Sequence, residues 1–591
     1  MVVRGLLYNL LQPKRLTLKE RTGGTYLKSN VIAQRATTAI LLLASLATQA
    51  QTPPSAGSLL QEIERSRTQQ LPKAVKPEIA PAPKEMKAPT GLTLTVKQFR
   101  FTGNRLLDAG QLAPVVAPYL GRQLDFAELQ KAAAAVAARY REDGWVVRAY
   151  LPQQDIDNGV VTIHIIEAVF GGALLEGEPP SRVKLQTALA FVEEAVRKGE
   201  PLNGDAIDRA LLLLDDLPGI AAAGNLKEGR RDGETDLVLK LADEAAYTGD
   251  AGIDDSGSRS TGATRLTLNL NANSPLGIAD LETVSLIHTE GSDYARLGAT
   301  VPVGTNGWRV GGSTSHLDYR LISPDFATMN GKGTSETYGL EASYPLLRTR
   351  LRNLYLALNA DRKNFRNEAN GAVTSDYHLD AFSIALNGNL FDALGGGGAN
   401  TLGLTLTDGR VDLGGSPNQA GDATTTVTQG HYSKLRYSLS RQQTLTEKLA
   451  LYGAVSGQIA GKNLDPAEKF YLGGATGVRA YPASEGGGSE GQMLNLELRA
   501  RLPENFTLTA FYDWGEVLVN RDNSHAGAAV LNQYRLRGHG LMLGWLAPFG
   551  ANFRLTWARR DGGNPNATAA GNDQDGSLVE NRLWLQATLP F

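Results

Sequence analysis

From Tyr247 to Phe591 the chain alternates apolar and polar residues in segments of about ten, separated by turns rich in Gly, Asn, Asp and Ser. Leu494, Leu496, Leu498, Ala500 and Leu502 share one face of such a segment, and Asn495, Glu497, Arg499 and Arg501 share the other. A face so charged cannot line a dry core, so the strand needs water on one side. The same alternation runs through Leu266-Leu268-Leu270, Leu354-Leu356-Leu358, Phe506-Leu508-Ala510-Tyr512-Trp514 and Leu583-Leu585-Ala587-Leu589-Phe591. A soluble sandwich would bury one face against a second sheet, whereas a closed barrel with a lipid-facing apolar band accounts for both faces. At about twenty-one residues per strand and connection, residues 246–591 suit a transmembrane barrel of about sixteen antiparallel strands.

Upstream, the pattern predicts two small α+β units, at 92–168 and 169–245. In the first, a strand over Leu94–Phe101 ends at Gly103-Asn104. A helix carries Phe126, Leu129, Ala133, Val136, Ala137 and Tyr140 on one face and stops at Asp143-Gly144. Two strands follow, at Val146–Leu151 and Val160–Ile166, joined by Asp157-Asn158-Gly159. The second unit repeats the order with helices at Leu185–Val196 and Asp205–Leu214 and strands at Ala221–Leu226 and Thr235–Leu241.

Before these units, residues 51–70 hold a short amphipathic helix with Leu59, Leu60 and Ile63 on one face, and residues 71–91 form a Pro-rich linker that cannot pack a core. The region 1–50 reads as an export signal: Lys28 and Arg35 precede the apolar run from Ala39 to Ala47, and small residues surround Ala50.

Composition narrows the function. There are 59 basic and 61 acidic residues and no basic tract interleaved with aromatics, so nucleic acid is not an expected partner. The chain has no cysteine, which removes disulfides and thiolate metal sites. His164, His288, His316, His378, His431, His525 and His539 show no ligand spacing, so neither metal nor cofactor is expected. The run Gly487-Gly488-Ser489-Glu490-Gly491 fits a serine-hydrolase pattern, but it leads into an amphipathic strand instead of a helix and reads as a flexible loop. No enzyme is expected.

Leu151-Pro152-Gln153-Gln154-Asp155-Ile156 and Leu214-Asp215-Asp216-Leu217-Pro218-Gly219 resemble signatures of the first and second POTRA domains of the two-partner secretion transporters, the hemolysin secretion/activation family of the ShlB/FhaC/HecB type. Gly477-Val478-Arg479-Ala480-Tyr481 resembles that family's Val-Arg-Gly-Tyr motif, at the tip of a loop folded back into the pore. Ala480 stands where the family has glycine, and a position needing positive φ would strain it. Phe511, Asp513 and Gly515 match the partner Phe-x-Asp-x-Gly motif, so the resemblance implies that Asp513 meets Arg479. The alternation agrees, since Tyr512 and Trp514 hold the lipid phase and period two turns Asp513 to the lumen.

The resemblance implies a monomeric barrel in the lipid of a Gram-negative outer membrane with POTRA domains in the periplasm. These would receive an unfolded exoprotein, of the large β-helical adhesin or hemolysin type, by strand addition. The loop and the helix at Leu59, Leu60 and Ile63 would shut the pore. No Walker-type nucleotide site occurs. The alternatives are a barrel assembly or insertion factor of the same superfamily, which normally carries more POTRA copies and lacks a helix plug, and a passive porin or adhesin, which needs no periplasmic modules.

Overall fold

The computed structural model describes residues 53–65, 71–72, 93–156, 158–231 and 233–591. The expected export signal and most of the Pro-rich linker lie outside the described residues. Helix α1 (Ala56–Arg65) comes first.

The first α+β unit contains β1 (Leu94–Thr95), β2 (Gln98–Thr102), α2 (Ala109–Val116), β3 (Gln123–Leu124), α3 (Phe126–Glu142), β4 (Val147–Tyr150) and β5 (Val160–Glu167). Its three-stranded sheet has the order β2-β5-β4, with β2 parallel to β5. The single strand expected over Leu94–Phe101 is split: β1 pairs with β3, Val96 turns into the core, and the amides of Lys97 and Gln98 donate to Gly159 O. The periodicity does not predict helix α2, because Gly110 and Pro114 within eight residues leave only Leu112 and Val116 to mark a buried face. Its legible trace is Asp108-x-x-Gln111, a reciprocal capping box that Asp125 and Glu128 repeat at the start of α3.

The second unit comprises β6 (Val169–Leu175), α4 (Leu185–Ala195), α5 (Gly204–Asp215), β7 (Ile220–Glu228) and β8 (Glu234–Asp243), with sheet order β6-β8-β7. No free linker separates the units: Val146 N donates to Leu202 O, Leu202 N to Ala168 O and Gly204 N to Gly144 O. These shared backbone bonds make the pair stiff.

Sixteen antiparallel strands follow, from β9 (Tyr247–Asp254) to β24 (Asn581–Pro590), and they close into a barrel as Gln586–Pro590 pair with Asp254–Asp250. The terminal residue completes the seam, with Phe591 N donating to Gly249 O and Gly249 N to Phe591 O, both at 2.9 Å. Closure leaves no unpaired edge facing lipid, which is what lets strands cross a membrane. Among the described residues no helix is long and apolar enough to do so. Outward aromatics stack near the turns at the end bearing the α+β units: Phe506 on Trp545 at 5.6 Å and Trp545 on Phe553 at 5.4 Å between ring centroids, as an interfacial belt requires.

The second unit docks on that end. In β14 (Lys332–Arg348), Arg348 forks onto Asp216, with Nε to Oδ2 and Nη2 to Oδ1 both at 2.7 Å. Arg350 forks onto Asp208, and Arg209 donates to Pro345 O.

Candidate functional site in the barrel lumen

Two chain segments occupy the space inside the wall. The first is the loop 461–489 between β19 (Leu449–Ala460) and β20 (Glu490–Arg501). It carries Gly477, Val478, Arg479, Ala480 and Tyr481 to the inner face of β20 and β21 (Phe506–Leu518). There Arg479 is 6% exposed and Asp513 fully buried. Arg479 Nε donates to Asp513 Oδ2 at 2.8 Å, Nη2 to Oδ1 at 2.7 Å, and the Arg479 backbone N to Oδ2 at 3.0 Å. Nη1 reaches Glu497 Oε1 at 2.8 Å. The guanidinium lies 3.6 Å from the Phe511 ring centroid. A guanidinium supplies the flat fork and the stacking face at once, which lysine cannot do.

Four groups complete this cluster that the motif did not name. Asn495 Nδ2 donates to Asp513 Oδ1 at 2.7 Å and to Gly477 O, Glu497 takes the third arm of Arg479, Arg499 holds Glu497, and Trp584 Nε1 donates to Arg479 O at 2.8 Å. Asn495 pairs directly with Asp513, and Glu497 with Phe511, in the β20–β21 register. The polar phase of β20 placed them in the lumen; only the register identifies them as partners.

The glycines set the approach. A Cβ on Gly477 would stand 2.0 Å from Leu472 O, so this glycine lets the loop fold tightly on itself, and one on Gly515 would stand 2.7 Å from Leu472 Cδ2, so that glycine lets the loop lie against the wall. Ala480 departs from the expectation: it is not among the residues with positive φ, so its backbone position does not require glycine. Its methyl is instead accommodated from across the gap, where β22 (Gln533–Leu546) presents Gly538; a Cβ there would come within 2.5 Å of the Ala480 Cβ. Tyr481 is buried beside the Arg560 guanidinium, 4.8 Å from its ring centroid.

The loop's end is also packed, contrary to the flexible loop expected for Gly487–Gly491. Gly488 and Phe470 exchange backbone bonds, and the Ser489 hydroxyl accepts from Leu464 N and donates to Val519 O. On the far side, Glu485 accepts from Asn564 Nδ2 and Gln574 N in the loop between β23 (Asn552–Arg560) and β24.

The second segment is α1. Leu59, Leu60 and Ile63 are buried in one cluster with Leu317, Tyr319, Phe365, Tyr377 and Tyr432 of the wall and with Leu464 and Ala467 of the loop. The inner wall on this side is therefore apolar and aromatic, where alternation alone had suggested a wet, polar lumen. The polar face of α1 is engaged as well. Glu62 accepts from Ser484 Oγ at 2.7 Å, and Arg65 donates to Tyr471 O and Gly473 O at 2.7 and 3.3 Å. Glu64 meets Lys363, which also meets Glu468, itself paired with Lys434. At the other end Ala56 N donates to Asn367 Oδ1. Helix and loop thus hold each other and the wall through non-covalent contacts alone.

A closed sixteen-strand wall, a lumen filled by a helix and a loop, and a stiff pair of α+β units on one rim define an outer-membrane conduit. The family of haemolysin secretion/activation proteins ShlB/FhaC/HecB matches residues 233–532, and the ShlB-type POTRA domain matches residues 94–168. The chain belongs to that family and is an outer-membrane transporter of the two-partner secretion class, with POTRA structure facing the periplasm. It is 24% identical over 506 residues to the heme/hemopexin transporter protein HuxB of Haemophilus influenzae (strain 86-028NP), covering 82% of this chain and 88% of the relative. It is 26% identical over 483 residues to the outer membrane transporter CdiB of Dickeya dadantii (strain 3937), covering 79% and 84%. In fold it is similar to CdiB from Escherichia coli, with a TM-score of 0.66 and 22% identity over 95% of this chain and 98% of that one. BamA from Haemophilus ducreyi lacking POTRA domains 1–3 shares the fold at a TM-score of 0.50 and 14% identity, over 85% and 100%.

Proposed function

We propose that this transporter conducts one unfolded exoprotein, of the large β-helical adhesin or hemolysin type, and that the helix at Leu59, Leu60 and Ile63 and the loop carrying Gly477 to Tyr481 are its plug and gate. The observation that carries this reading is the filled lumen: both segments are held by hydrogen bonds and ion pairs, so both can leave without breaking the wall. Asp513, with Phe511 and Gly515, is the wall-side seat of the gate, and Arg479 is the group that fixes the loop there.

Cargo enters from the periplasm by adding to a sheet edge of 92–168 or 169–245, each read as a POTRA domain. In the second unit β7 is such an edge, with Ala221, Ala222, Ala223 and Gly224 small enough for a strand to approach. The barrel works as a monomer in outer-membrane lipid, and residues 1–50, 51–70 and 71–91 serve as export signal, plug and linker. Nothing in the reading needs a nucleotide; folding of the cargo outside gives direction. The test is export of a large β-helical exoprotein found encoded beside this chain. Its loss on deleting the transporter and its return on re-expression support the reading, and unimpaired export without the transporter refutes it.

A further inference from the structure

The tether that follows the plug touches the barrel at one described place. Pro72 O accepts from Asn389 Nδ2 at 2.6 Å, on β16 (Ala372–Asp392). Asn389 Oδ1 accepts from Asn353 Nδ2 at 2.8 Å, on β15 (Arg352–Ala369). Asn353 Oδ1 in turn accepts from Arg348 Nη1 at 3.2 Å, and Arg348 forks onto Asp216 of the second unit. Asn389, Asn353 and Arg348 are all buried. Beside this relay, Leu71 and Pro72 border a cavity of about 250 Å³ lined from the second unit by Phe191, Leu213 and Leu217 and from the rim by Trp308 and Tyr355.

We infer that the joint between the second α+β unit and the barrel rim is a binding site for Leu71-Pro72, and that docking of that unit holds the plug in place through it. This rests on the plug reading above.

Three features support it. First, Asp216 caps the C-terminal end of α5, where the helix dipole disfavours a carboxylate, so the Arg348 fork is what makes this position tenable. Arg348 is thereby aimed at Asn353, and both amides downstream are left with one orientation that satisfies every partner. Second, Leu71 and Pro72 gain apolar cover only while Phe191, Leu213 and Leu217 face the rim; undocking removes one wall of their site. Third, the tether is short. Ala56 is fixed at Asn367 and Pro72 at Asn389, which pairs with Asn353. At about 3.3 Å per residue and a tilt near 40°, Asn353 and Asn367 on β15 stand roughly 35 Å apart along the barrel axis. Helix α1 covers about 15 Å, and the peptide steps from Arg65 to Pro72 reach at most about 25 Å. The seating of Pro72 thus bounds how far α1 can shift along the axis while the clamp holds.

Displacement of the second unit, as by cargo adding to its sheet, would break the Asp216–Arg348 fork, free Asn389 and release Pro72. The test is the open fraction of the purified full chain in planar bilayers. The variants are Asn389→Asp, which repels Pro72 O while keeping its bond from Asn353, Asn389→Ser as a smaller second choice, Asp216→Asn, the pair combined, and a chain lacking Ala56–Arg65. Each Asn389 change and Asp216→Asn should raise the open fraction about tenfold. The double variant should not exceed the larger single effect, because both release one clamp. Wild-type gating by both Asn389 variants, while the helix-deleted chain opens, overturns the clamp and leaves the plug. Multiplied effects in the double variant overturn the shared relay. A helix-deleted chain that conducts no more than wild type overturns plug and clamp together.

Discussion

Replacing Arg479 by alanine removes both arms of the fork on Asp513, the arm on Glu497 and the cation above Phe511. Asp513 has no exposure and keeps only Asn495 Nδ2 and one backbone N–H. Stripping one partner from a buried pair costs about 3–5 kcal/mol, since the remaining charge stays desolvated. The wall pays none of this, because the strand pairing of β20 with β21 does not pass through Arg479. The cost falls on loop seating, which at about 1.4 kcal/mol per tenfold shifts the unseated population by roughly two to three and a half orders of magnitude. The chain has no cysteine, so a single one at Ala483 reports seating through its rate of maleimide labelling. Arg479→Ala should label far faster and export less, while heat-modified gel mobility shows the barrel still inserted. Labelling and export both at the wild-type rate would refute the assigned role.

Four further outcomes follow from the same geometry. Arg479→Lys keeps the charge but loses the fork and the stacking, so labelling and export should fall between wild type and alanine. Gly538→Ala should impair loop seating by placing a methyl 2.5 Å from Ala480 Cβ and 2.8 Å from Arg559 O, and Ala480→Gly, close to neutral alone, should relieve only the first contact and slow the maleimide labelling of the double variant; labelling of the double variant as fast as that of an unseated loop such as Arg479→Ala would show that the methyl of Ala480 does not share that space. Gly477→Ala, whose Cβ meets Leu472 O at 2.0 Å, should unseat the loop in the labelling assay without lowering insertion. Removing Phe591 deletes two backbone bonds at the seam, so the yield of heat-modifiable barrel should drop while the residual barrels keep their conductance.

The sequence exposed the barrel more fully than its contents. Alternation is a property of single strands, so the faces of Leu494–Arg501 and Phe506–Trp514 could be assigned before any pairing was known. Arg479 and Asp513 were legible as types in a motif, but Glu497 and Trp584 become partners only when register and closure bring β20, β21 and β24 together. The strain that a family glycine position implies for Ala480 is absent for a similar reason: its φ is not positive, and the space for its methyl lies on Gly538, a strand away. The apolar half of the lumen was hidden because Tyr294, Leu317, Phe365 and Tyr432 occur singly among polar neighbours on different strands. In the N-terminal units, long periods such as α3 were plain, whereas α2 carried a cap signal and almost no stripe.

The proposed mechanism turns on the lumen having to be emptied. Glu64 of the proposed plug and Lys363 of the wall strand β15 meet at 3.2 Å, and in this cysteine-free chain the pair can be replaced by two cysteines and joined by a short reducible bis-thiosulfonate cross-linker. Export of the partner protein, measured in the same cells before and after reduction, should stop when plug and wall are joined and resume when they are released. Export at an unchanged rate through the cross-linked transporter would contradict it.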